Sequence, residues 1–171
     1  EQLIAQLANN LAAAKSDGLG VTASVPARHL VLTDDSVEAS QFDSRLHLVP
    51  PLRPESDRRA VVEALRDGLL DAVISDHVPW TAVEKDLEFE FSRPGAVGLE
   101  SALSATLSAF SDDIAVVVRV LSAGPAAVLG LDARVAPGAR ADLVVFDPSH
   151  AGVISRPARS RGTNEPLEGM S

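Results

Sequence analysis

Apolar residues recur at helical spacing in four stretches of this chain. Leu3, Ile4, Leu7, Leu11 and Ala14 form the first stripe, with Gly18 as its stop. Val61, Val62, Leu65 and Leu69 form the second, on a helix that Asp57 is placed to cap and Gly68 to end. Leu99, Leu103, Leu107 and Phe110 form the third. The fourth starts at Asp112 and Asp113 and carries Ile114, Val117, Val118 and Leu121. Gly124-Pro125 then opens a short helix to Leu129, with proline at a first-turn position where its missing N–H costs nothing. Two short β-prone runs lie between these stripes, Val21 to Val25 and Ala72 to Ile74. Residues 26–56 contain Pro26, Pro50, Pro51 and Pro54 and read mostly as loop, as does the charged stretch 81–97.

Beyond Leu129 the pattern changes. Val135-Ala136-Pro137-Gly138 predicts a turn, and Ala141 to Phe146 a strand stopped by Asp147-Pro148; residues 149–171 are polar and without helical period. Alternating strands and helices followed by a strand-bearing tail predict an α/β fold. In that fold, residues 1–130 are the C-terminal portion of a (β/α)8 TIM-type barrel and residues 131–171 contribute strands to a small β-sandwich domain. A complete barrel takes about 250 residues, so 171 residues hold part of one or a smaller fold. The N-terminus enters its helical pattern at once, as the interior of a longer protein would.

Composition narrows the possible partners. The net charge of −9 leaves nothing to neutralise phosphates, which argues against nucleic acid or an anionic membrane. Cysteine is absent, so disulfides and thiolate zinc sites are excluded, in keeping with the cytoplasm. The apolar runs are too short to span a bilayer, and no signal peptide is read.

The stretch with most chemistry is Asp71-Ala72-Val73-Ile74-Ser75-Asp76-His77-Val78-Pro79-Trp80. A short buried strand that ends on a carboxylate and an imidazole is how an α/β barrel presents reactive groups. The blander readings are that Asp76 accepts backbone N–H bonds at a strand end and that His77 is a structural histidine. His29, His47 and His150 stand alone in sequence, Glu84-Lys85-Asp86 reads as a solvated loop face, and Arg53 either binds an anion or pairs with Asp57.

This stretch resembles the Asp-His-Ala-Pro-His signature of dihydroorotases, members of the metal-dependent amidohydrolase superfamily, with Trp80 at its last histidine. Other segments resemble the same family in order. They are Val21-Thr22-Ala23-Ser24-Val25-Pro26-Ala27-Arg28-His29-Leu30, then Val49-Pro50-Pro51-Leu52-Arg53 with Asp57-Arg58, then Asp67-Gly68 and Asp71. Glu84-Lys85, Phe91 and Pro94-Gly95-Ala96-Val97-Gly98-Leu99-Glu100 follow, and Pro137-Gly138 with Ala141 to Asp147, and Asn164-x-Pro166-x-x-Gly169, complete the set.

The resemblance implies a metal held by a His-x-His pair, further upstream ligands and the Asp of the Asp-His motif, with metal hydroxide attacking a ring amide. Of that ligand set only Asp76 is present; the four histidines His29, His47, His77 and His150 include no His-x-His. A catalytic zinc takes about three protein ligands, so no cofactor is expected on this chain, although active relatives use zinc. The resemblance also marks two substrate-binding positions as substituted. Val49 stands for the Asn that contacts the dihydroorotate ring, and Trp80, readable as a pocket plug or an interface anchor, stands for the His that contacts the substrate carboxylate. Arg28 stands for one of a pair of histidines and Ser24 for a glutamate.

Three functions follow from the resemblance. The first is a non-catalytic dihydroorotase-like protein of de novo pyrimidine synthesis, with Asp76 vestigial, that acts as structural partner of aspartate carbamoyltransferase or pairs with another copy of itself. The second is an active dihydroorotase or related cyclic amidohydrolase whose metal ligands lie on an N-terminal portion before Glu1. The third is a truncated gene product.

Overall fold

The computed structural model describes residues 3–150, 152–155 and 159–170. Glu1 and Gln2, where the first helical pattern opens, lie outside the described residues, as do the side chain of Leu3 and the tail positions 151, 156–158 and 171. Helix α1 spans Leu3–Ser16, with Lys15 in its last turn and Gly18 beyond it at φ +74°, a conformation that glycine adopts without a Cβ clash. Strand β1 is Ser24–Pro26 and strand β2 is Ala72–Ile74. They pair in parallel, with Ser24 opposite Ala72, Val25 opposite Val73 and Pro26 opposite Ile74.

Parallel strands require a long crossover, and residues 27–71 supply it. This stretch is more ordered than its prolines suggest. It contains a 3-10 turn at Ala27–Leu30, helix α2 at Asp34–Ala39 and a second 3-10 turn at Ser44–Leu46. Helix α2 is started by a reciprocal capping box, in which the side chain of Thr33 meets the third-position N–H and that of Ser36 meets the cap N–H. Helix α3 spans Glu55–Arg66. Its cap position is Pro54, not Asp57; Asp57 sits inside the first turn and is buried against Arg53.

The charged stretch after β2 also carries helix. Helix α4 (Ala82–Lys85) has a capping box between Thr81 and Glu84, and a 3-10 turn follows at Phe89–Phe91. Helix α5 spans Ala102–Ala109, and helix α6, Ile114–Val118, starts on the Asp113 carboxylate, which accepts the Val116 N–H at 3.3 Å. A π-helical turn at Arg119–Ala123 leads into helix α7, Gly124–Leu129, which ends at Gly130 in the left-handed conformation. Gly124 is required by proximity: a Cβ there would lie 1.9 Å from the Asp71 carbonyl oxygen. The rod of α6, π-turn and α7 therefore presses directly on the start of β2.

The core lies between the outer face of the two strands and this helical shell. Leu30, Leu65, Val97, Phe110, Val117 and Val120 are its most buried large members. Asp71 ties the layers together, because one carboxylate oxygen accepts from Lys15 of α1 and the other from the Ala23 N–H before β1, both at 2.8 Å. A bridge between His77 and Ala96 continues the parallel pairing past β2.

The strand predicted over residues 141–146 does not form. Val144 is 80% and Val145 97% exposed, and the run finds no ladder partner among the described residues. A β-prone run without a neighbour keeps its backbone groups in water. The end of the chain, by contrast, is well anchored. Asn164, Glu165 and Leu167 are buried, and Ile154 exchanges backbone hydrogen bonds with Met170 and Gly169.

Candidate functional site

The C-terminal ends of β1 and β2 lie on the same side of the sheet, and each delivers a charged group. Asp76 follows β2 after one residue and adopts φ +43°, which turns the chain sharply out of the strand. Arg28 follows β1 in the Ala27–Leu30 turn and is 3% exposed. Its Nη1 donates to the Ser75 carbonyl at 3.2 Å and its Nη2 to the Asp76 carbonyl at 2.6 Å; Nη2 also donates to the Asp76 carboxylate. Burial pulls the guanidinium's pKa below its ordinary value, while Asp76, and Glu165 beyond it, oppose that pull. The Nε hydrogen of Arg28 has no partner among the described residues. Gly98 lies against this pair, where a Cβ would come 2.2 Å from the Ser75 carbonyl and 2.8 Å from Arg28 Nη1.

The histidines occupy separate structural niches. The Nδ1 of His77 faces the backbone N–H groups of Gly98 and Leu99, at 3.3 and 3.2 Å. It accepts from both, so the ring proton is on Nε2. His29 donates to the Pro50 carbonyl at 3.0 Å, and burial pulls its pKa below the usual imidazole value. His47 meets Ser92 Oγ and packs its ring on Phe89 at 5.0 Å. His150 is exposed.

The substituted positions make no hydrogen bond to the Arg28–Asp76 pair among the described residues, and each has its own surroundings. The side chain of Val49 is 68% exposed and presents no polar atom. Trp80 is half-buried at the loop after β2; its indole N–H donates to the Pro94 carbonyl at 2.9 Å and its ring faces the Arg93 guanidinium at 5.6 Å. It staples two loops together. Arg53 donates to Asp57 at 2.9 Å, the simpler of its two expected roles.

Three further residues hold this region in shape. Asn164 is fully buried. Its side-chain amide donates to the Val78 and Gly95 carbonyls, both at 2.9 Å, and its side-chain carbonyl accepts the Trp80 N–H at 2.8 Å. Lys85, expected in a solvated loop, is 5% exposed and donates to the carbonyls of Arg93 and Gly95. Glu100 accepts the N–H groups of Arg159 and Ser160. The Asn-x-Pro motif signalled Asn164 in the sequence. Arg28 is marked in the sequence only by standing at a histidine position of the resemblance; its partner is 48 residues away and becomes visible only once β1 and β2 are paired.

A metal is the group that the dihydroorotase resemblance would bring to Asp76. Among the described residues no three or more histidine, aspartate or glutamate side chains converge on a common point. The one matching donor, the Asp76 carboxylate, is already engaged by a cation of the protein itself. Among the described residues, Asp76 alone does not supply the donor set a metal ion requires.

Comparison with known proteins gives a consistent picture. The model of the amidohydrolase family matches residues 7–171. A dihydroorotase from Anaeromyxobacter dehalogenans is 45% identical over 162 residues, covering 91% of this chain and 37% of the relative. A dihydroorotase from Syntrophus aciditrophicus is 38% identical, covering 92% of this chain and 38% of its own length. Among solved structures, an L-hydantoinase (dihydropyrimidinase) from Arthrobacter aurescens superposes with a TM-score of 0.83 at 22% identity, covering 95% of this chain and 38% of that one. A dihydropyrimidinase from Brevibacillus agri gives 0.82 at 26%, with the same coverage. The fold is accordingly part of a TIM-type (β/α) barrel, and the chain spans little more than a third of the length of these relatives.

Proposed function

The chain belongs to the amidohydrolase family, with dihydroorotases among its relatives, and from that premise we propose a dihydroorotase-like protein of de novo pyrimidine synthesis that works in the cytoplasm without catalysing the reaction, as a structural partner of aspartate carbamoyltransferase. The observation that carries this reading is the engagement of the Asp76 carboxylate by the buried Arg28 guanidinium. A carboxylate that is to ligate a metal and move a proton needs a free lone pair at the strand end. Here one of the two carboxylate oxygens, Oδ2, already accepts a charge-assisted bond from the chain itself. The substituted positions support the same reading. Val49 offers no hydrogen bond to a ring amide, and the indole N–H of Trp80 is committed to the Pro94 carbonyl.

The second reading is a cyclic amidohydrolase that uses metal ligands from elsewhere. It is favoured by the 45% identity to a dihydroorotase and by an Asp76 side chain that keeps 26% exposure. Turnover separates the two. The protein, assayed with zinc in both the hydrolytic and the cyclising direction between dihydroorotate and carbamoyl aspartate, is expected to give no rate above background. Mixed with aspartate carbamoyltransferase, it is expected to co-sediment. Turnover that disappears on Asp76→Asn would establish the enzyme reading instead.

A further inference from the structure

We propose that the guanidinium of Arg28 is the resident cation of the Asp76 strand end: a built-in positive charge on the Asp76 carboxylate that makes this end of the sheet metal-independent. The inference shares with the proposed function the premise that Asp76 moves no proton. Its test reads metal and stability instead of turnover, so each can fail while the other stands.

The geometry is that of a cation site with the cation attached to the fold. Arg28 reaches from the end of β1 to the end of β2 and meets three oxygens there, the carbonyls of Ser75 and Asp76 and the Asp76 carboxylate. Carbonyl and carboxylate oxygens converging on one point are what a hard cation requires. A planar guanidinium satisfies the same oxygens through N–H groups aimed from a single direction. Asp76 adopts its left-handed backbone conformation at this point, where its carbonyl and its carboxylate both face the same Nη2. A non-glycine residue holds such a conformation when its surroundings over-determine it, and the two bonds to Nη2 are that determination. Gly98 keeps the third side open: a Cβ at residue 98 would collide with the Ser75 carbonyl and with Arg28 Nη1. A positively charged metal on the same carboxylate would have to share it with a guanidinium that is almost wholly removed from solvent, and like charges at contact distance in a low-dielectric setting repel strongly.

The site therefore carries two linked expectations. Wild-type protein is blind to divalent metals at Asp76, and removal of the guanidinium leaves a half-buried carboxylate and two carbonyls without this donor. The experiment is thermal unfolding of the chain with chelator, zinc or cobalt(II), for wild type, Arg28→Met, Arg28→Lys, Asp76→Asn and the Arg28→Met/Asp76→Asn double variant. The expected result is a wild-type Tm unchanged by chelator or metal and no cobalt d–d absorption. Tm should fall in Arg28→Met, and by less in Arg28→Lys, which keeps the charge but not the fork. The double variant should melt above Arg28→Met, because neutralising Asp76 relieves the charge left behind. If Arg28→Met does not fold, Arg28→Lys and Asp76→Asn still report on the pair. A zinc-induced rise in wild-type Tm, or a cobalt spectrum, that is lost in Asp76→Asn would overturn the proposal. Additive losses in the double variant would overturn it equally, since they would mean that the two groups do not act on each other.

Discussion

Lys85 is the residue whose environment departs furthest from its sequence. In Glu84-Lys85-Asp86 it reads as one charge among several on a wet loop, yet its ammonium is turned inward onto the Arg93 and Gly95 carbonyls. Desolvation lowers its pKa from the ordinary 10.5 to about 8, with Asp43 opposing the shift. The folded chain then releases this proton near pH 8 and the unfolded chain near pH 10.5. Between those values the unfolded state binds more protons, and stability rises with pH. The chain has two lysines, Lys15 and Lys85, with no tyrosine and no cysteine, so little else titrates in that window. Urea midpoints measured from pH 7.5 to 10.5 are expected to climb for wild type and to stay flat for Lys85→Met. A flat wild-type profile would place the Lys85 ammonium in water. The same residue-scale logic separates what the sequence shows of the site from what it hides. Asp76 is legible because an apolar run that stops on Asp-His marks a strand end. Arg28 as its partner is not, and neither is the bond of Trp80 to Pro94, because both depend on which loops the fold brings together.

At the scale of elements, the helices with long apolar stripes are legible and the short ones are not. Helices α1, α3 and α5 and the α6–α7 rod fall where the 3.6-residue period puts them, to within a few residues. Helices α2 and α4 have four to six residues, too few for a period, and are declared instead by their capping boxes. Of these, Thr81-x-x-Glu84 is readable in the sequence. The strand over 141–146 has the right composition but no neighbour, and a strand is a property of pairs. Two contacts set how the elements lock. Gly124 lets the α6–α7 rod touch β2, and a methyl group there must push the rod away from the Asp71 carbonyl. Gly124→Ala is expected to cost about 1–3 kcal/mol, the usual range for overpacking, whereas Gly130→Ala, with nothing within 4 Å, strains only its left-handed backbone. Asn164 holds the end of the chain to the loop after β2 through three bonds. Asn164→Ala leaves buried partners unsatisfied, at about 1–3 kcal/mol each before relaxation. It should also expose residues 159–170 to proteolysis ahead of global unfolding; cleavage no faster than in wild type would mean that Glu100 and the Ile154 pairing suffice to hold the tail.

At the scale of the whole molecule, large apolar side chains are exposed on several elements among the described residues. Its sheet is two three-residue strands and a bridge among the described residues, too little to stand without help from packing. Ile74 is 41% exposed, and a groove of about 570 Å³ opens between α1, β1 and α3, walled by Leu7, Leu11, Val25, Leu32, Val61 and Leu70. Leu143, Val144 and Val145 add an extended apolar run with free backbone groups, the combination that recruits another strand. The chain alone is therefore expected to self-associate at micromolar concentration. Contacts made by apolar faces should persist at high salt, which also screens the mutual repulsion of copies that each carry a charge of −9. Sedimentation velocity over a concentration series, at low and high salt, checks this. Leu143→Lys with Val145→Lys is expected to shift the distribution towards monomer if the tail is the adhesive element, and Leu7→Lys with Leu11→Lys if the groove is. A monomer that unfolds cooperatively and binds no hydrophobic dye would show that these faces close against each other in solution, and would remove the physical basis for a partner on this surface.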